Sequence, residues 1–78
     1  MTITTKLVQI LVFKTNILSK EEEYDIRPLL DEAEGILQWN IDHQDCDHVL
    51  RIVSDSLDPE DIEELVRRTG FNCTELPD

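Results

Sequence analysis

The chain predicts a single α+β domain in which four strands and two helices alternate as β-α-β-β-α-β. Three observations carry this. A seven-residue apolar run near the start, Leu7 to Phe13, is apolar on both faces and rich in β-branched residues, as a central strand is. Two later segments carry paired helix start and stop signals. Between them, two short alternating stretches flank a polar tip.

The first helix begins at Ser19, with Glu22 three residues on as a capping box and Glu21, Glu22 and Glu23 at the positive end of the helix dipole. Ile26, Leu29, Leu30 and Ala33 then recur at helical spacing. Pro28 removes one backbone bond, which predicts a kink or a delayed regular part. Gly35 ends the helix, and Ile36 to Ile41 reads as a strand with Trp39 and Ile41 on one face. The tip Asp42-His43-Gln44-Asp45-Cys46-Asp47 leads into a strand from His48 to Ser54. There Leu50 and Ile52 share one face, and Val49, Arg51 and Val53 the other. The second helix has Asp58 as N-cap, Pro59 in its first turn, Ile62, Leu65 and Val66 as core stripe, and Gly70 as terminator. Phe71 to Leu76 closes the chain as a short strand.

Right-handed crossovers give this element order a compact solution, the ferredoxin-like sandwich: an antiparallel sheet in order 4-1-3-2 with both helices on one face. The first strand is then central, and the opposite sheet face stays open. Residues 1–78 form one domain with a core across roughly 7–76. At this size about 60% of the unfolded surface is buried, which leaves little room for an enclosed active site.

Charge narrows the partners. Eighteen acidic residues against seven basic ones give a net charge of −11, while residues 1–20 alone carry +3. Such a surface repels phosphate backbones and anionic lipid, so neither nucleic acid nor membrane is an expected partner. Sheet-face RNA binding would also need exposed aromatics and basic charge. Two cysteines are too few for a disulfide framework, and the run Leu7–Phe13 is too short to span a bilayer, so a reduced, cytoplasmic setting is expected. Neither a nucleophile in a glycine-rich elbow nor a phosphate loop is present, and no enzymatic activity is expected.

Several stretches together resemble a heavy-metal-associated domain, the fold of copper chaperones and of the N-terminal modules of metal-pumping ATPases. They are Gly35-Ile36, Trp39-x-Ile41-Asp42, Val49-Leu50-Arg51-Ile52, Asp58-Pro59-Glu60, Ile62-Glu63-x-Leu65-Val66 and Gly70-Phe71. The segment Trp39 to Ile52 and the ending Gly70 to Leu76 are also similar to short uncharacterised bacterial proteins of that superfamily. The resemblance implies a metal held by a Cys-x-x-Cys pair where the first strand meets the first helix. In this chain those positions fall on Ser19 and Glu22, hard oxygen donors that suit Cu(I) poorly. The resemblance thus implies the scaffold and withholds its metal site.

Two functional readings follow. In the first, the domain has no cofactor and is a protein-interaction module acting through its open sheet face, on an unknown protein partner or as a homodimer. Either Val8, Ile10 and Val12 or the alternate set Leu7, Leu11 and Phe13 point to that face, next to Val49, Arg51 and Val53. In the second, a transition metal (Zn, Ni or Cu) is held at a relocated site. The topology places the strand-two to strand-three tip at the same end as the family's metal loop and the start of strand four. That end collects His43, Cys46, His48 and Cys73, with the carboxylates of Asp42, Asp45 and Asp47. Asx residues also occupy hairpin tips for their own backbone bonds, and Cys73 also reads as a small apolar filler.

Overall fold

The computed structural model describes residues 8–76. Its elements are β1 (Gln9–Thr15), α1 (Lys20–Glu32), β2 (Ile36–Asp42), β3 (Val49–Ser54), α2 (Pro59–Arg67) and β4 (Cys73–Glu75), the expected order. The sheet runs β2-β3-β1-β4, which is 4-1-3-2 read from the other edge, and every pairing is antiparallel. This is the ferredoxin-like fold.

Register decides the faces. Leu11 faces Ile52 and Phe13 faces Leu50 across β1 and β3, while Trp39 and Ile41 face the same two residues from β2. Leu11, Phe13, Ile41, Leu50 and Ile52 are buried, and they share one cluster with Ile26 and Leu30 of α1 and Ile62 and Val66 of α2. Both helices therefore cover that face. The alternating residues Ile10 and Val12, with Val8 before them, point the other way. The open-face set is thus Val8, Ile10 and Val12; Leu11 and Phe13 of the alternate set are core, and Leu7 lies outside the described residues.

Several boundaries differ from the sequence expectation, among them the end of α1 at Glu32, three residues before Gly35. β1 extends to Thr15, two residues past the apolar run, because Lys14 and Thr15 pair with Thr74 and Cys73 of β4. β4 is only Cys73–Glu75, and β3 starts at Val49 because His48 has left-handed backbone (φ 45°). α1 continues through Pro28, which is exposed; the carbonyl it cannot satisfy belongs to exposed Tyr24, where water can serve it.

Local chemistry fixes the remaining ends. Ser19 Oγ accepts from the Glu22 N–H at 3.2 Å, the expected N-cap. Asp61 Oδ2 accepts from the Asp58 N–H at 3.0 Å at the start of α2. Gly35 has φ +94° and leaves α1 against the loop before α2. A Cβ there would meet Ser56 Oγ at 2.7 Å and Leu57 Cγ at 2.8 Å, so glycine is required twice over. A register shift between Ile36 and Gln38 leaves Leu37 exposed.

Candidate functional site

Four chain segments meet at one end of the sandwich: the end of β1, the first turn of α1, the tip joining β2 to β3, and the start of β4. Thr15 ties β1, the tip and β4 together. Its N–H donates to the Asp47 carbonyl at 3.1 Å, and its hydroxyl donates to the His48 carbonyl at 2.7 Å and accepts from the Ile17 N–H at 3.2 Å. Across the other edge of β1 it pairs with Cys73, and the Asn72 N–H donates to Asn16 Oδ1 at 2.7 Å.

The strand-to-helix junction is where the family resemblance would place a metal. Ser19 Oγ is engaged by the Glu22 N–H, and Glu22 Oε1 accepts from the Leu18 N–H at 3.1 Å. Both side chains are thus employed in starting α1, and their oxygens are hard donors. The residues present do not fit a soft metal ion at this junction.

The tip has a different character. Asp42 Oδ1 accepts from the Gln44 N–H at 3.0 Å and Asp45 Oδ1 from the Asp47 N–H at 2.9 Å, the local bonds expected of Asx residues in a turn. The His48 N–H donates to the Asp45 carbonyl at 3.0 Å. One ligand atom from each of Asp45, Cys46 and Asp47 lies within 4.8 Å of the others, with Cys46 exposed. Neither histidine belongs to that trio.

The histidines form their own arrangement. Their ring centroids are 6.1 Å apart with planes inclined at 61°. His43 Nε2 lies 2.9 Å from Glu23 Oε1, while the Nδ1 atoms of both His43 and His48 are buried without a hydrogen-bond partner. Glu23 is the residue that sequence reasoning passed over. On α1 it reads as one more acid near a helix start, and twenty positions separate it from His43.

Cys73 sits apart from these groups. It is buried at the start of β4, and burial, reinforced by the nearby Glu63 and partly offset by Arg67, pushes its thiol up to about 12. It is held as a neutral thiol, whereas a metal ligand must be a thiolate.

The open sheet face is the second candidate surface. Val8 and Ile10 are 51% and 68% exposed, Val12 and Val53 are half-buried, and Val49 is buried. The register sets Gln38, Asn40 and Asp42 beside Val53, Arg51 and Val49. Charges on this face are paired: Arg51 with Asp42 at 3.9 Å, and Lys14 with Asp47 at 3.6 Å.

No family model matches the sequence, and no curated protein does. Among solved structures, the chain is similar to the apo form of the HMA domain of a copper chaperone for superoxide dismutase, with TM-score 0.77 and 13% identity. That match covers 97% of this chain and 74% of the other. It is also similar to a chain from a structure concerning crosstalk between Cu(I) and Zn(II) homeostasis, with TM-score 0.75, 11% identity, and coverage of 87% and 99%. The fold is therefore that of heavy-metal-associated domains. None of the helices formed by the described residues is long and apolar enough to cross a membrane.

Proposed function

We propose that this chain is a non-catalytic, cytoplasmic protein-interaction module that docks through its open sheet face, with a second copy of itself as the occupant. The observation that carries this reading is the uncovered row Val8, Ile10 and Val12 beside Val53, on a face whose flanking charges are already paired. Contiguous apolar surface of this kind on a small domain marks a contact site.

Charge favours a second copy. Ten of the 18 acidic residues lie in α1 and α2, behind the opposite face, whereas Asp42 is the one acid among the strand residues that point to the open face. Two copies packed sheet to sheet would be about 10 Å apart at the sheets. Their helical layers would then stand roughly 30 Å apart, well beyond the ~8 Å screening length at physiological ionic strength. A net charge of −11 thus opposes this mode of association less than association through the helical face. The copper chemistry named for the similar structure does not transfer, because Ser19 and Glu22, which the family resemblance sets at the metal positions, cap a helix there.

Sedimentation equilibrium from ~1 μM to ~1 mM protein tests the proposal, since that range spans weak to moderate dimer affinities. A concentration-dependent shift from monomer to dimer supports it. A monomer at every concentration removes the second copy as occupant, and a complex with a different protein that buries Ile10 would then replace it.

A further inference from the structure

We propose that the His43–His48 pair is a binding site for a borderline divalent cation of the Zn(II), Ni(II) or Cu(II) class, with Glu23 as the residue that orients it. The inference is independent of the docking face and of the family's strand-to-helix metal position.

Start from the protons. A carboxylate only accepts, so the 2.9 Å bond to Glu23 Oε1 places the hydrogen of a neutral His43 ring on Nε2. The lone pair is then on Nδ1, which is buried and has no donor facing it. His48 Nδ1 is likewise buried without a hydrogen-bond partner. Two buried, unsatisfied imidazole nitrogens on adjacent rings cost the fold free energy unless something fills the place.

The spacing says what fits. Zinc-type ions bind imidazole nitrogen at about 2.0–2.1 Å, so two rings on one tetrahedral ion have centroids about 5–5.5 Å apart. The observed separation is 6.1 Å with the planes inclined at 61°, an edge-on contact slightly wider than that spacing. The Glu23–His43 bond is the carboxylate–histidine pairing that fixes a ligand's tautomer and ring orientation. Imidazole nitrogens favour borderline ions over Cu(I), and the neighbouring Asp45 and Asp47 make the local potential attractive to a cation. Water completes the coordination, since no third ligating side chain among the described residues groups with the two rings. The left-handed His48 backbone, held by Thr15 and Asp45, is strain retained at this position and at no other non-glycine residue among those described.

The test is a titration of the reduced, isotope-labelled full chain with Zn(II) alone, reading the nitrogen shifts of both imidazoles. At one equivalent the Nδ1 resonances of His43 and His48 are expected to move, with His43 Nε2 still protonated. Glu23→Gln should weaken Zn(II) binding about 10- to 100-fold. His48→Asn, which suits left-handed backbone, should abolish the His43 shift while leaving the amide spectrum folded. Cys46→Ser should leave both ring shifts in place. Rings that stay unshifted at stoichiometric Zn(II) overturn the proposal. Binding lost in Cys46→Ser but retained in His48→Asn overturns it as well. Should His48→Asn fail to fold, His43→Gln and Glu23→Gln decide the same question.

Discussion

Ile10 and Leu11 are neighbours in β1 with opposite assignments, and substituting each separates association from folding. Fully burying an isoleucine side chain contributes about 1.5–3 kcal/mol. Ile10 is still 68% exposed, so about 1–2 kcal/mol per copy remains for an interface to recover. In a two-fold dimer each copy contributes the residue, giving about 2–4 kcal/mol, or a roughly 30- to 700-fold weaker dimer in Ile10→Ser. The fold should barely notice, with a melting temperature within a few degrees of the parent. Leu11, only 6% exposed and packed in the core, behaves in reverse. Leu11→Ala should cost about 2–4 kcal/mol of folding stability and lower Tm by roughly 10–25 °C. Sedimentation equilibrium reads the first effect and thermal circular dichroism the second. If Ile10→Ser leaves the dimer constant unchanged while Leu11→Ala melts early, the faces are correctly assigned but the open one is not the interface. If Ile10→Ser melts as early as Leu11→Ala, the face assignment itself is wrong.

The two glycines separate strain from crowding. Gly70 has φ +95° with open space around it, so Gly70→Ala should cost about 1 kcal/mol from left-handed backbone alone. Gly35→Ala adds the clash with Ser56 and Leu57 and should cost about 2 kcal/mol or more in urea unfolding; equal costs would show that those side chains move aside freely. The cysteines should differ in alkylation: one label per native chain, at exposed Cys46, and two in denaturant. Cys73 also predicts an alkaline dependence. Its folded value of about 12 exceeds the ordinary 9.0, so at pH 9–12 the unfolded chain gives up a proton that the folded chain keeps. Stability therefore falls as pH rises through that window, and below it Cys73 has no effect on the pH dependence. Chemical unfolding at several alkaline pH values should show a shallower fall in Cys73→Ala; an identical slope would assign the loss to other groups.

Much of the architecture was legible from local rules. Ser19–Glu22 and Asp58–Pro59 announced the helix starts, Gly35 and Gly70 each lie three residues past a helix end, and two-sided apolarity made β1 central. Each is a preference expressed within a few residues, where periodicity and capping chemistry act. The element ends were less legible where a neighbouring strand sets them. Thr15 belongs to β1 because Cys73 pairs with it, a partner 58 positions away.

The faces and the histidine site needed the folded chain for a different reason. A strand apolar on both sides carries no mark of which side meets the helices. Only the pairing of Leu11 with Ile52 and Phe13 with Leu50, together with the helices above them, turned Val8, Ile10 and Val12 outward. The sequence does place His43 and His48 on one tip. It says nothing of the Glu23 carboxylate arriving from α1, or of the left-handed turn at His48 beside His43. Residue types and local periods are written in the chain one neighbour at a time. Juxtapositions across twenty or more residues arise only once loop closure has been repaid by the common core.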